Sequence, residues 1–325
     1  MTTLYPLVFQ PRFKERVWGG RSIEAMYGKR LPPDVPIGES WEITDRPGDE
    51  SVVANGPLAG QTLRTLMERH GREILGSAVP AAGGRFPLLC KILDAREKLS
   101  LQVHPPERVR HLGDPKTEMW YIAAADPGAE LFVGLKNGVT REAFEDAVQR
   151  GTVADCFHRV AVRAGDAMFL PSGRVHAIGA GLVIFEIQQN SDTTFRVHDW
   201  NRVGLDGKPR ELHITESLES IDFADFEPSL IRPRTMNAIE FHVHPLVHHP
   251  LLHTDLMEAV RAGEFQPGGP RPHVIAAIEG ALIVRDGGVY EPLRPGDFCL
   301  IPASVTHAVV QADAGARFLL TETGR

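Results

Sequence analysis

The chain is poor in cysteine. Only Cys90, Cys156 and Cys299 occur in 325 residues, and three distant thiols form neither a disulfide framework nor a CxxC zinc knuckle. No stretch approaches the ~18 consecutive apolar residues that a membrane-spanning helix needs. The first twenty residues lack the apolar segment and cleavage site of a signal peptide. These absences predict a reduced, soluble, cytoplasmic protein without a membrane partner.

Positive charge is also in deficit. Lys and Arg total 35 against 42 Asp and Glu, so the formal net charge is −7. A mildly acidic chain lacks the basic surface that nucleic acids attract, and we expect no nucleic-acid partner. The hydrophobic fraction of 42% and the charged fraction of 24% are typical of a globular protein with room for two domains. Whether it is a monomer or a homodimer stays open.

Short apolar runs dominate the remaining pattern. The 31 glycines and 25 prolines are spread along the chain as turn residues. Many short strands between frequent turns predict a mainly β fold of sandwiches or barrels. The runs are Leu88–Leu93, Met119–Ala123, Leu131–Gly134, Met168–Leu170, Leu182–Gln188, Val274–Ile278, Leu282–Val284, Phe298–Ile301 and Phe318–Leu320.

Helical patterns are few. One begins after a Thr140 cap and ends before Gly151, a second covers Thr62–His70 with Gly71 as its stop, and a third covers His213–Asp222. We expect these short helices to decorate a β scaffold.

An internal repeat divides the chain. Val162–His176 aligns without gaps with Leu293–His307. Both copies read as a Gly-Asp turn, a strand, a Pro-containing turn and a second strand with an inward histidine. The coinciding pairs are Gly165 and Gly296, Asp166 and Asp297, Pro171 and Pro302, and His176 and His307. The repeat predicts two tandem β domains, residues 1–232 and 233–325.

Four residues of the first domain form a candidate metal site. Gln102 and His104 are two apart, which in a strand places both side chains on one face. Glu118 starts a further strand, and His176 closes the repeat motif. Each alone is more often an ordinary strand or core residue, but together they offer two imidazoles, a carboxylate and an amide oxygen. Such a mixed set suits Zn²⁺, while ligand type also admits Fe, Mn, Co or Ni.

Several motifs resemble a known superfamily and one family within it. The stretch Gly165–His176 looks like the second motif of the cupins. The remaining motifs resemble the type I mannose-6-phosphate isomerases (phosphomannose isomerases) in their short bacterial form. They are Arg16–Gly20, Gly38–Ile43, Pro87–Glu107, Lys116–Ile122, Leu170–Gly179 and Gln188–Arg202. The resemblance implies two tandem cupin (jelly-roll) domains.

The resemblance also implies site residues. One Zn²⁺ per chain would bind in the N-terminal cupin, on Gln102, His104, Glu118 and His176. Arg196 and Lys116 match catalytic positions of the family, whereas the matches near the substrate are Lys91 and Ser100.

The implied reaction is the aldose–ketose isomerisation of mannose 6-phosphate and fructose 6-phosphate through an enediol. Such a reaction needs a general base, and the sequence leaves it open between a metal-bound water, Glu42 and the surroundings of His104. Glu42 is also a candidate substrate residue. The alternatives are a sugar-phosphate-binding bicupin without catalysis and another cupin enzyme, such as a dioxygenase or a different sugar isomerase. Cupins of that last kind commonly use three histidines, which Gln102 disfavours.

The second domain is predicted to be metal-free. It keeps His307, but His273 stands where the upstream Glu is expected. A histidine-rich stretch, FHVHPLVHHPLLH from Phe241 to His253, has strand spacing at His242 and His244 but no suitably placed acid apart from Asp255 and Glu258. We expect it to be an ordinary strand.

Overall fold

The computed structural model describes residues 3–324, which form a mainly β chain. The strands of the first half are β1 (Leu7–Gln10), β2 (Arg12–Gly20), β3 (Ile37–Ile43), β4 (Val52–Val53), β5 (Leu88–Ala95), β6 (Leu101–Val103), β7 (Glu118–Ala125), β8 (Glu130–Leu135) and β9 (Phe157–Ala161). Those that follow are β10 (Ala167–Leu170), β11 (His176–Ile178), β12 (Leu182–Gln189), β13 (Phe195–His198), β14 (Met236–Asn237), β15 (Phe241–His249), β16 (Leu252–Ala259), β17 (Gly263–Phe265), β18 (His273–Glu279), β19 (Leu282–Asp286), β20 (Val289–Leu293), β21 (Phe298–Ile301), β22 (Val309–Ala312) and β23 (Arg317–Thr323). Each of the nine apolar runs predicted as strands lies in one of these elements.

The α-helices are short. They are α1 (Ser22–Tyr27), α2 (Leu63–Leu75), α3 (Arg141–Arg150) and α4 (Ile214–Ser220). Helix α3 confirms its prediction, because Thr140 Oγ1 accepts a hydrogen bond from the Ala143 amide at 3.2 Å and Gly151 ends the helix in a left-handed conformation. No described helix is long and apolar enough to cross a membrane.

The predicted stop of α2 at Gly71 is wrong. His70 departs from helical dihedral angles, but the helix continues to Leu75 and is capped by Gly76 at φ 58°. The apolar face extends to Ile74 and Leu75, which are both buried. Burial of that last turn therefore outweighs the weak helix propensity of a glycine.

The described residues fold into two compact units. The central unit comprises residues 13–40 and 92–231, and the terminal unit comprises residues 3–12, 41–91 and 232–324. The predicted border between residues 232 and 233 lies where the chain last enters the terminal unit. The segments 3–12 and 41–91, however, pack with the C-terminal residues rather than with the rest of residues 1–232. Two cupin domains with that border remain a prediction.

The central unit contains two sheets with an apolar core. The five-stranded sheet has the order β13-β6-β11-β8-β9, and the six-stranded sheet has the order β10-β7-β12-β5-β3-β2, in which β3 and β5 continue into residues of the terminal unit. Pairing in the five-stranded sheet sets Arg196 opposite Gln102 and Gln102 opposite His176. Cross-strand partners share a face of the sheet, so these three residues form one row.

The terminal unit has its own pair of sheets. Their orders are β14-β15-β16-β23-β18-β21-β1-β4 and β17-β22-β19-β20. Phe318 packs edge-on against Phe241 and is stacked with Phe265, with 5.9 Å between the centroids of the stacked pair. The second copy of the repeat lies in this unit, and the first copy lies in the central unit.

Candidate metal centre

Three of the four predicted ligands converge in the central unit. Glu118 is the first residue of β7, His176 is the first residue of β11, and His104 directly follows β6. One ligand atom from each lies within 4.8 Å of the others. All three residues are buried, at 1% exposure or less. Strand ends thus bring together two imidazoles and a carboxylate that are far apart in the sequence.

Hydrogen bonds to backbone carbonyls orient the two histidine rings, so that a defined ring nitrogen of each faces Glu118. Nδ1 of His104 lies 2.8 Å from the Thr193 carbonyl oxygen, and Nδ1 of His176 lies 2.9 Å from that of Arg174. A carbonyl can only accept a hydrogen bond, so each Nδ1 carries the proton and each Nε2 presents a lone pair. Nε2 of His176 lies 3.3 Å from Glu118 Oε1, and Nε2 of His104 lies 3.7 Å from Glu118 Oε2.

The residues around Glu118 fit a cation. Neither of its carboxylate oxygens receives a well-oriented hydrogen bond from the described residues. Two imidazole lone pairs and a carboxylate repel one another in a buried site, and a nearby positive charge relieves that repulsion. The group therefore has the donor chemistry of a divalent metal site, and its nitrogen and oxygen ligands suit zinc.

Gln102 borders this group. Its Nε2 lies 3.2 Å from Nε2 of His176, and its Oε1 accepts a hydrogen bond from Ser100 Oγ at 3.3 Å. A half-turn of the amide exchanges its oxygen and nitrogen with little change of shape. The structure therefore brings Gln102 and Ser100 to the group, while the role of Gln102 as a ligand stays a prediction.

Lys116 supplies positive charge at the same place. Its ammonium lies 2.7 Å from Glu118 Oε2 and 3.1 Å from Nε2 of His104, and the residue is 5% exposed. The structure therefore places Lys116 beside two of the candidate ligands, while its catalytic role stays a prediction.

The buried charges shift the pKa values of all three ligands. Burial, followed by the positive charge of Lys116, lowers the pKa of His104. Burial lowers the pKa of His176 to about 3, against the opposing influence of Glu118. Burial would raise the pKa of Glu118, but Lys116 and the two histidines more than offset it, so that pKa lies well below its usual range. At neutral pH the two imidazoles are therefore neutral and Glu118 is a carboxylate.

Arg196 lies on β13, in the row that contains Gln102 and His176. Its Nη1 donates to the Glu211 carbonyl at 2.7 Å, whereas its buried Nε finds no acceptor among residues 3–324. Burial, followed by the neighbouring Arg210, lowers the pKa of the Arg196 guanidinium. The Nε–H of Arg196 is therefore a buried donor without a partner in the described chain.

Two further predicted residues belong to the terminal unit. Lys91 lies on β5 and Glu42 on β3, and both are buried. The Lys91 ammonium lies 5.0 Å from the centroid of the Trp41 ring, a cation–π contact. Their assignment as substrate residues stays a prediction.

The histidine-rich stretch forms strand β15 and part of β16, as expected. His244 Nε2 lies 3.4 Å from Glu258 Oε2, and His248 Nε2 lies 3.2 Å from Asp255 Oδ1. Within the described chain, this cluster does not bring three ligand atoms as close together as the group around Glu118.

Sequence reasoning missed the groups that orient the ligands. Thr193 and Arg174 act through backbone carbonyls, which leave no residue-type signal. Trp120 was also missed; its ring meets His176 edge-on at 5.3 Å between centroids, and its Nε1 donates to Glu186 Oε1 at 2.9 Å. Its position two residues after Glu118 on the same strand face was the available signal.

Comparisons with known proteins show which family this chain resembles. A family model, phosphomannose isomerase type I, catalytic domain, matches residues 7–144. The mannose-6-phosphate isomerase ManA of Bacillus subtilis is 38% identical over 317 residues, which cover 92% of this chain and 94% of that protein. The mannose-6-phosphate isomerase of Streptococcus mutans is 33% identical over 303 residues, 92% of this chain and 93% of that protein.

A solved structure shows the same architecture. The crystal structure of the mannose 6-phosphate isomerase from Bacillus subtilis superposes with a TM-score of 0.88 at 29% identity, and the match covers 97% of this chain and 99% of that one. The predicted mainly β cupin fold is thereby confirmed. Because the curated relatives match at 33–38% identity over nearly their whole lengths, this chain belongs to the type I phosphomannose isomerase family.

Proposed function

We propose that this chain is a zinc-dependent isomerase that interconverts mannose 6-phosphate and fructose 6-phosphate. The observation that carries the proposal is the convergence of His104, Glu118 and His176, with two imidazole lone pairs and a carboxylate facing one centre. Family membership supplies the substrate pair, because the curated relatives carry the name mannose-6-phosphate isomerase.

Three described residues would hold the metal, and Gln102 would join them after a half-turn of its amide. The set carries a single negative charge, so a bound divalent cation keeps net positive charge. That cation would supply Lewis acidity to the carbonyl and hydroxyl oxygens of the sugar. The carbonyl acceptors of Thr193 and Arg174 keep both histidines in the tautomer that a metal requires.

Residues of the chain would transfer the proton between carbon atoms and stabilise the negative charge of the enediolate and the phosphate. The reaction removes a proton from C2 of the aldose, forms an enediol, and returns a proton to C1. Lys116 lies beside Glu118 and His104, where its ammonium can donate the proton that C1 receives. The base that takes the proton from C2 stays open between a metal-bound water, Glu42 and the surroundings of His104. Arg196 would supply its guanidinium charge to an anionic oxygen of the enediolate or the phosphate. Ser100 would orient the sugar or Gln102 through its hydroxyl.

A coupled assay that follows fructose 6-phosphate formed from mannose 6-phosphate tests the proposal. We expect turnover by the purified protein, its loss after a strong chelator, and its recovery on addition of Zn²⁺. His104→Ala should abolish turnover, while His307→Ala, which changes an exposed histidine of the second copy, should leave it intact.

Two outcomes contradict the proposal. A zinc-loaded protein that turns over neither sugar phosphate would refute it. Binding of mannose 6-phosphate without turnover would instead support a non-catalytic sugar-phosphate-binding bicupin.

A further inference from the structure

A strained turn follows strand β13. Trp200 and Asn201 have φ values of 57° and 55°, so two consecutive residues other than glycine adopt the left-handed conformation. This conformation is unfavourable for L residues, and a bulky aromatic residue is rare in it. Such a turn persists only where its surroundings hold it in place.

Two side chains of the turn hold the entry to strand β6. The Trp200 indole N–H donates to the Leu99 carbonyl at 2.7 Å, and Arg202 Nη1 donates to the Lys98 carbonyl. The Lys98 ammonium in turn lies 4.1 Å from the centroid of the Trp200 ring. Residues 98 and 99 immediately precede Ser100 and the strand that carries Gln102. The turn is therefore fastened to the segment that leads into the candidate metal centre.

Asp199 holds this turn together. Its carboxylate, which is 5% exposed, accepts hydrogen bonds from Arg202 Nη2 at 2.7 Å and from Arg210 Nε at 2.7 Å. Arg210 precedes Glu211, whose carbonyl accepts the hydrogen bond from Arg196 Nη1. One buried carboxylate thus connects the entry of β6 with the backbone group that orients Arg196.

We propose that Asp199 is a positioning residue of the isomerase site. It holds Arg202 against the entry to β6, and it holds Arg210 next to Glu211, whose carbonyl binds Arg196. Asp199 would thereby fix the position of Arg196 relative to Gln102. The inference rests on the proposed function for its activity test. Without the carboxylate, the guanidinium groups of Arg196, Arg202 and Arg210 repel one another and the turn loses its restraint.

The chain offers a matched control. Asp45, in the terminal unit, is also a buried carboxylate between two arginines, with Arg64 Nη1 at 3.3 Å and Arg85 Nη1 at 3.2 Å. Asp199→Asn and Asp45→Asn should both lower the thermal unfolding temperature. Only Asp199→Asn should lower kcat for mannose 6-phosphate, by about 10–100-fold. Asp199→Glu, which keeps the charge, should recover part of that loss.

Hydrogen exchange gives a readout that does not depend on turnover. Backbone amides of Leu101–Val103 should exchange faster in Asp199→Asn than in Asp45→Asn. Should Asp199→Asn not fold, Trp200→Phe tests the restraint that the turn places on the entry to β6. It keeps an aromatic ring and removes the N–H that donates to Leu99. Equal kcat and equal exchange in the two aspartate variants, or in Trp200→Phe and the wild type, would overturn the inference. Absence of turnover in the wild type would instead refute the proposed function, and the exchange measurement would still decide the role of Asp199.

Discussion

The two copies of the internal repeat begin with the same turn. Gly165 and Gly296 have φ values of 92° and 89°. The aspartate that follows each glycine accepts a hydrogen bond from a backbone amide three residues upstream, at 3.0 Å in the first copy and 2.8 Å in the second. The next strands, Ala167–Leu170 and Phe298–Ile301, correspond residue by residue. The shared part of the repeat is therefore the part that builds a sheet.

The copies diverge where the metal ligands are expected. His176 opens strand β11 and is 1% exposed, whereas His307 is exposed in a turn two residues before β22. Glu118 pairs with Leu170 in the first copy, and His273 takes the corresponding place opposite Ile301 in the second. His273 faces Glu322 at 4.0 Å. Both copies therefore have the same turn, whereas only the first copy has the candidate metal ligands.

The largest expected effect is that of Lys116→Met, which should lower kcat by about 10²–10⁴-fold because it removes the proposed proton donor. Zinc per chain should be retained. The control is Arg271→Met, which removes the cation that pairs with Glu322 next to His273 in the second copy. An equal loss of kcat in both variants would contradict the proposal that the catalytic site lies in the first copy.

The second prediction concerns pH and the metal-free protein. The pKa of His176 is about 3 in the folded chain and about 6.5 when unfolded. Between those values the unfolded chain binds a proton that the folded chain does not, so this contribution to stability is present above pH 6.5 and is lost as the pH falls. From urea unfolding between pH 6.5 and 4.5, His176→Gln should flatten the pH dependence by about 1 kcal/mol per pH unit. His307→Gln should not, and an unchanged slope in His176→Gln would contradict the burial of a neutral imidazole.

The turn glycines should respond alike. Gly165→Ala and Gly296→Ala each force a Cβ into a conformation that L residues rarely adopt, at a cost of about 1–3 kcal/mol in the free energy of unfolding. Urea denaturation should give similar values for both. A loss confined to one copy would show that the two turns are not equivalent.

The smallest effect is expected from the histidine-rich strand. The double variant His242→Ala/His244→Ala should leave both the zinc content and kcat unchanged, because its side chains do not assemble three close ligand atoms. A loss of one zinc per chain, measured by elemental analysis, would place a second metal site in the terminal unit.

Local patterns predicted nine of the described strands and both ends of α3 because the deciding groups are neighbours in sequence. Thr140 and Gly151 act within one helix, whereas Gly71 failed as a stop because tertiary burial of Ile74 and Leu75 overrides it. Residue types and spacing also predicted the four candidate ligands, three of which converge.

Long-range partners could not be predicted in this way. The carbonyls of Thr193 and Arg174, the Asp199 network, and the packing of residues 41–91 with the C-terminal segment all depend on pairing between distant strands and loops. No residue-type pattern encodes such backbone acceptors, because every residue carries a carbonyl.

Zinc stoichiometry in three proteins tests the central claim most directly. The wild type and His307→Ala should each bind about one Zn²⁺ per chain, and His176→Ala should lose most of it. Retention of zinc by His176→Ala, or its loss from His307→Ala, would contradict the proposal that the first copy of the repeat holds the metal and the second does not.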